Sequence, residues 1–347
     1  MPERADPTSA TTDPALSMVV PAYNEAARLD AGFFRLTQAI NAGAVNPDTT
    51  QFIVVDDGST DETSARATDL YGALPNSLVI RLAQNRGKGA AIRAGVAAAT
   101  GRAIAFADAD MAIDPVQTPN FVAALQGHHL AIGSRAASGA SVDRPSIRRS
   151  VMNRTFNRFV NTVTRLSLDD TQCGFKAFRG PVARLLFHCT TTERMAFDVE
   201  LLVAARTFGL TISQIPVHWS RVQGSRVRSW SDGGSMVRDV LRARHALRDA
   251  PALNALPVTL RPDQSATDLE YLRALGAKVP VVHVRETDFI VLFPLMTDEQ
   301  VASCVSAVSQ RLDLGQPEPR RFSLRQVQDL APLALSWDNS AITSSRA

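Results

Sequence analysis

Short apolar runs alternate with helix-spaced segments through the first half of the chain. Leu16–Val20, Phe52–Val55, Leu78–Leu82, Ile104–Ala107 and Leu130–Ile132 are runs of strand length, each bounded by turn-forming or charged residues. Between them, Ala26–Ala39, Glu62–Tyr71, Gly89–Ala99 and Val116–Leu125 place apolar residues at helical spacing. Strand, helix and strand in repetition require crossover connections. The pattern therefore predicts an α/β fold, a mostly parallel sheet with helices on both faces. Ligands of such sheets bind beyond the carboxyl ends of the strands. The residues directly after each strand are the first candidates for chemistry.

Beyond residue 135 the pattern changes. Helical spacing runs from Ser146 to Leu166, a turn-rich stretch covers Asp169–Gly180, and a helix (Ala196–Phe208) and a strand (Thr211–Trp219) lead into a Gly/Ser/Arg loop. Pro251, Pro257 and Pro262 then punctuate the chain. After them come a helix (Asp268–Leu275), two strands (Val279–Val284 and Phe289–Phe293) and a helix (Asp298–Leu312). The expected organisation is a disordered segment 1–14, a main domain 15–250 with halves 15–135 and 136–250, a small α/β appendage over 252–332, and a disordered tail 333–347.

Composition narrows the class. With 45% apolar and 20% charged residues the chain is globular. The net charge of +3, from 37 Lys+Arg against 34 Asp+Glu, is too balanced for a bulk nucleic-acid binder, so no nucleic-acid partner is expected. Cys173, Cys189 and Cys304 supply neither a disulfide framework nor metal-ligand spacing, which points to a reducing cytoplasm. The polar, acid-containing N-terminus is no secretory signal, and no apolar stretch approaches the roughly 20 residues of a spanning helix.

Four successive strand ends carry polar chemistry: Pro21-Ala22-Tyr23-Asn24-Glu25, Asp56-Asp57-Gly58-Ser59-Thr60-Asp61, Asn85-Arg86-Gly87-Lys88-Gly89 and Asp108-Ala109-Asp110. Each alone also reads as turn or cap chemistry. Together they suggest more. Asp108 and Asp110, separated by a small residue, are hard oxygen donors suited to Mg2+ or Mn2+ on a substrate diphosphate. Gly87-Lys88-Gly89 offers backbone N–H groups and a cation at a helix start, which favours anions. It lacks the earlier glycine of a Walker loop, and Ile92 occupies the last glycine position of a dinucleotide fingerprint.

The order and spacing of these four segments resemble the nucleotide-sugar half of family 2 glycosyltransferases with the GT-A (Rossmann-like) fold. The resemblance implies that Pro21, Tyr23 and Glu25 line the nucleoside pocket and Asp57 contacts the base or ribose. It also implies that Lys88 lies near that end of the site, and that Asp108 and Asp110 hold the metal on the donor diphosphate. Further on, Asp170-Thr171-Gln172-Cys173-Gly174-Phe175-Lys176, Phe197–Leu202, and Val217-His218-Trp219 followed by Gly224-Ser225-Arg226 are similar to dolichyl-phosphate glucosyltransferases and their bacterial polyprenyl-phosphate relatives. Arg226 stands where that family commonly has Lys. The implied reaction is inverting transfer of a hexose, glucose from UDP-glucose, to a polyprenyl- or dolichyl-type lipid monophosphate in cell-envelope or glycan biosynthesis. Asp170, Asp198 and Lys176 are the candidate catalytic residues. Gln172, Lys176, Arg221, Ser225, Arg226 and Arg228 are candidates for binding the acceptor phosphate and the diphosphate.

Six arginines and no acid lie between Arg144 and Leu168, with Met152, Phe156, Phe159, Val160, Val163 and Leu166 on one helical face. A basic amphipathic helix of this kind, over 146–166, suits the cytoplasmic face of a membrane, with Arg148, Arg149, Phe156 and Phe159 as contacts. An ordinary core helix with a solvated basic back fits the pattern equally. Membrane-embedded relatives carry anchoring helices and none is visible here, so peripheral docking, with or without a membrane-anchoring protein partner, is expected. The alternatives are a family 2 glycosyltransferase with a soluble acceptor and a non-catalytic nucleotide-sugar-binding scaffold.

Overall fold

The computed structural model describes residues 14–143, 147–220, 233–243, 252–260, 266–276, 279–285, 288–314 and 317–322. Arg221, Ser225, Arg226 and Arg228 lie outside the described residues, as do the side chains of Arg148 and Arg149 and most of both termini.

The chain opens with β1 (Leu16–Ala22), α1 (Ala26–Asn41), β2 (Thr50–Asp56), α2 (Thr63–Tyr71), β3 (Ser77–Arg81), α3 (Lys88–Ala98) and β4 (Ala103–Phe106). It continues with α4 (Thr118–Ala124), β5 (Leu130–Ser134), β6 (Ser141–Val142), α5 (Ile147–Thr164), β7 (Lys176–Arg179), α6 (Gly180–Cys189), α7 (Phe197–Thr207), β8 (Ile212–Pro216), β9 (His218–Trp219) and α8 (Gly233–Ala243). The main sheet has seven strands in the order β3-β2-β1-β4-β7-β5-β8. All neighbours are parallel except β7, which runs antiparallel between β4 and β5.

Both faces of this sheet are buried, which explains why its central strands are continuous apolar runs rather than alternating ones. Val19, Ile53, Val55, Ile104 and Phe106 face one core with α3, α6 and α7. Met18, Val20, Phe52, Val54 and Ala105 face the other with α1, α2 and α4. The α1 stripe is Leu29, Gly32, Leu36 and Ala39, spaced three, four and three residues apart. Gly32 lets α1 lie flush on the loop after β4, because a Cβ there would collide with the Ala109 carbonyl. Pro21 is tolerated in β1 because the pairing with β4 stops at Val19.

Two elements of the main domain escape the sequence pattern: β7 lies inside the stretch read as turns, and α6 follows it in a segment with no element assigned. All four residues of β7 are buried although two are cationic, so polarity hides the strand. The expected strand Thr211–Trp219 breaks at Val217 into β8 and β9, which join different sheets.

The C-terminal elements are β10 (Leu253–Thr259), α9 (Ala266–Gly276), β11 (Val281–Arg285), β12 (Asp288–Phe293), α10 (Asp298–Leu312) and β13 (Arg320–Phe322). They form an antiparallel sheet in the order β11-β12-β10-β13 with its own core around Leu256, Val258, Leu272, Val291 and Phe293. This is a βαββαβ arrangement of the ferredoxin-like kind. β10 is absent from the sequence reading because Pro257 argues against a central strand. Pro257 lies past the pairing with β13, which covers only Leu253–Ala255, so no ladder bond is lost on that side. At the start of α10, Thr297 and Gln300 form a reciprocal capping box.

Candidate active site

The strand ends converge as the parallel register requires: Ala22 pairs with Asp56, Asp56 with Arg81, and Val19 with Phe106. The loops after them are tied to one another by side chains. Asn24, in a left-handed conformation, donates its N–H to Ser59 Oγ (2.9 Å), and its Oδ1 accepts the Thr60 N–H (2.9 Å). The Glu25 N–H donates to Thr63 Oγ1 (2.8 Å). Pro21 is buried, and Tyr23 stands 42% exposed at the rim.

Asp57 is buried, with its carboxylate turned towards the loop after β3. Oδ1 accepts the Arg86 N–H (2.9 Å), and Oδ2 accepts the Gly87 N–H (2.7 Å) and Asn85 Nδ2 (2.8 Å). Burial raises its pKa against the pull of these bonds. Asp57 thus shapes the turn that presents Lys88. Gly87 is required in that turn: its φ is 116°, and a Cβ would lie 2.6 Å from the Glu193 carbonyl oxygen.

A file of alternating charges crosses the strand ends. Glu25 accepts two bonds from Arg28 (2.7 and 2.8 Å), and Arg28 also pairs with Asp110. Asp108 accepts from Lys88 Nζ (2.6 Å). Deeper in, Lys176 Nζ donates to Asp198 Oδ1 (2.7 Å) and to the Cys173 carbonyl (2.8 Å), both side chains being buried. Phe106 and Phe197 wall the file: Lys88 Nζ lies 6.0 and 5.9 Å from their ring centres, and Lys176 Nζ lies 5.5 Å from that of Phe106.

The shifts follow the packing. Burial and then the Asp108 charge raise the Asp110 pKa, while Arg28 opposes them. Burial raises that of Asp198 against Lys176 and Lys88. Burial would lower that of Lys88, but Asp108 and Asp198 outweigh it and the ammonium is stabilised. Gly174 is dictated by the same cluster, because any Cβ there would collide with the Asp108 carboxylate. Burial pushes the Cys173 thiol up to about 12, so it is no thiolate at neutral pH.

Asp170 belongs to a separate arrangement. Its oxygens accept Arg135 Nε (2.7 Å) and Nη2 (3.0 Å), the Arg135 N–H (3.1 Å) and the Gln172 N–H (3.2 Å). Burial acts to raise its pKa, yet the Arg135 fork outweighs burial and holds it below the usual carboxylate range. Its stabilising contribution is therefore present above the unfolded value of about 4 and lost as pH falls through the lower folded value. Urea midpoints at several pH values should show the advantage of the native protein over Asp170→Asn shrinking only below about pH 4.

Arg28 and Arg135 are site residues that the sequence reading missed. Arg135 directly follows β5, so the strand-end rule extended by one strand finds it. Arg28 stands one helical turn after Glu25. The helix α5 also differs from expectation. Phe156 and Phe159 are partly buried and pack against the core with Val160. Asn157 turns to the Leu168–Thr171 segment, donating to the Leu168 and Asp169 carbonyls (2.8 and 2.9 Å) and accepting from Thr171. The exposed apolar residues of α5 are Val151 and Met152.

The chain is similar to known proteins. The family model described as glycosyl transferase family 2 matches residues 17–186. A dolichyl-phosphate beta-glucosyltransferase of Dictyostelium discoideum is 32% identical over 66% of this chain and 73% of its own length. Proteins of the same name from Drosophila melanogaster (37%; 65% and 73%) and Homo sapiens (36%; 66% and 74%) are similarly related. Among solved structures, glucosyl-3-phosphoglycerate synthase of Mycobacterium tuberculosis, in complex with Mn2+, uridine diphosphate and phosphoglyceric acid, superposes with a TM-score of 0.51. It is 20% identical over 71% of this chain and 83% of its own length, and it shares the fold. Four ordered strand-end motifs, the seven-stranded sheet that gathers them and relatives above 30% identity agree: the chain is a glycosyltransferase and belongs to glycosyl transferase family 2.

Proposed function

We propose that the protein transfers glucose from UDP-glucose to a dolichyl- or polyprenyl-type lipid monophosphate, with inversion at the anomeric carbon and with a divalent cation. The observation that carries the acceptor is the 32–37% identity to relatives named for dolichyl phosphate. The charge file across the strand ends supports the donor. Asp108 and Asp110 would hold the divalent cation: both are hard oxygen donors, placed together by the end of β4. A cation bound there, Mg2+ or Mn2+, would neutralise charge developing on the departing diphosphate. Pro21, Tyr23, Glu25 and the Asp57 loop bound the nucleoside end of this site.

An acceptor phosphate is already anionic near neutral pH, so its oxygen attacks the anomeric carbon without a strong general base, and the bond to the UDP oxygen breaks on the opposite side. The protein's part is alignment and charge neutralisation. Lys88 pairs with Asp108 and Arg28 with Asp110, which orients the two carboxylates. The buried Lys176–Asp198 pair fixes the floor beneath Lys88. Asp170 acts through Arg135, while Gln172 lines the same turn. The test is a transfer assay with labelled UDP-glucose, UDP-galactose, UDP-GlcNAc and GDP-mannose, with and without dolichyl or undecaprenyl phosphate. Label entering the organic phase from UDP-glucose alone, and only with divalent metal, is the expected result. Label moving to a water-soluble phosphate would overturn the lipid acceptor.

The reading places the reaction at the cytoplasmic face of a membrane. No helix among the described residues is long and apolar enough to cross a bilayer; the reading takes docking to be peripheral. α5 packs on α8, and the two expose Val151 (56%), Met152 (36%), Val237 (39%) and Leu241 (48%). α5 carries four arginines and no acid, and α8 adds Arg238 and an exposed Arg242 that pairs with Asp239. Apolar residues amid arginines suit an anionic lipid surface. Flotation with phosphatidylglycerol-containing vesicles should recover the protein, and Val151→Asp with Leu241→Asp should weaken that binding about tenfold or more. Unchanged flotation would remove this surface from the reading.

A further inference from the structure

We infer that Glu200 is a positioning residue for Lys88, acting through the Thr190–Arg194 loop; the inference rests on the reading of the site given above. Glu200 lies in the first turn of α7, 2% exposed, two residues after Asp198. Its carboxylate is wholly directed at one loop. Oε1 accepts the Thr191 N–H (2.9 Å) and Thr191 Oγ1 (3.1 Å), and Oε2 accepts the Thr192 N–H (2.7 Å). These are charge-assisted bonds in a buried setting, the class of hydrogen bond that holds geometry most firmly.

That loop is the surface on which the start of α3 rests. The Glu193 carbonyl accepts the Ala90 N–H (3.1 Å), and the Glu193 carboxylate pairs with Arg86. Gly87 and Gly89 flank Lys88 and press on the loop's backbone. A Cβ at Gly87 would stand 2.6 Å from the Glu193 oxygen, and one at Gly89 would stand 2.7 Å from the Thr192 oxygen. Farther along α3, Arg93 donates to the Phe187 (3.1 Å) and Thr190 (2.6 Å) carbonyls. The glycines leave no slack between helix and loop, so a shift of Thr191–Glu193 is passed to Lys88 and from there to Asp108, 2.6 Å from its ammonium. α7 therefore holds the site with two carboxylates. Asp198 engages Lys176 directly, and Glu200 acts on Lys88 at one remove.

The test is a double-mutant cycle between Glu200→Gln and Lys88→Met in the full-length protein. It is read both as UDP affinity in the presence of Mn2+ and as kcat/KM for glucose transfer, with thermal unfolding as a control. The amide turns one acceptor into a donor facing a buried N–H, so Glu200→Gln should lower kcat/KM about 30-fold. In the Lys88→Met background the same change should cost less than about threefold. Thr191→Val, which removes only the hydroxyl bond, should show the same non-additivity at smaller scale and serves if the Glu200 variant does not fold. Equal losses in both backgrounds, or a fall in melting temperature with unchanged kinetics, would reduce Glu200 to a purely structural residue. Coupling in UDP affinity without any lipid-linked product would keep the positioning role and overturn the acceptor reading; failure to bind UDP would overturn both.

Discussion

Asp110→Asn should lower kcat for glucose transfer about a thousandfold while leaving the fold intact. Asp110 supplies one of two oxygen donors at the end of β4, and its neighbour Asp108 is already paired with Lys88. An asparagine keeps the shape, and its carbonyl oxygen can still accept the Ala112 N–H (3.1 Å). What it loses is the charge that would hold the proposed divalent cation and that pairs with Arg28. The stability cost is small because two effects oppose. The ion pair with Arg28 is weakened, but repulsion between Asp108 and Asp110, which raises the Asp110 pKa, is relieved. Steady-state transfer at increasing Mn2+ measures the effect: activity should stay low at saturating metal. A variant with full activity would sink the metal assignment.

The second large effect is on folding. Lys176→Met leaves Asp198 buried without the ammonium now 2.7 Å away, and should destabilise the protein by about 3–5 kcal/mol in urea unfolding. Replacing both members, Lys176→Met with Asp198→Leu, should recover most of that stability, since an apolar pair of similar volume avoids the desolvation of two charges. Activity separates the roles. The doubly substituted protein should be folded and inactive, because Lys88 then loses the charge of Asp198 beside it. Recovery of stability and activity together would make the pair a packing device with no part in transfer.

How far the fold was legible depends on whether burial agrees with polarity. β1, β2, β4 and β5 are apolar and buried on both faces, so composition alone locates them, and the loops after them carry the donor-site motifs. β7 breaks that agreement: Lys176 is buried through Asp198, and Arg179 through the carbonyls of Leu125, Gln126 and His128. No local pattern announces partners that distant in sequence. β10 is masked by Pro257, whose harmlessness depends on where β13 stops. On α5, periodicity correctly groups Phe156, Phe159 and Val160 on one face, but only packing decides that this face meets the core. The site divides in the same way. Asp108, Asp110 and Lys88 follow strand ends and are visible in the sequence, whereas Glu200 becomes functional only through the loop it grips.

The antiparallel strand β7 has a consequence for how this enzyme can be cut or evolve. In sequence it follows residue 135, yet in space it is the shared neighbour of β4 and β5, which both precede that point. A fragment ending near residue 135 would leave one edge of β4 and both edges of β5 without a strand partner, a template for aggregation rather than a folded module. The halves are interlocked like the two sides of a zip with one tooth inserted from across. Any replacement of the chain beyond residue 135 would have to supply β7 again.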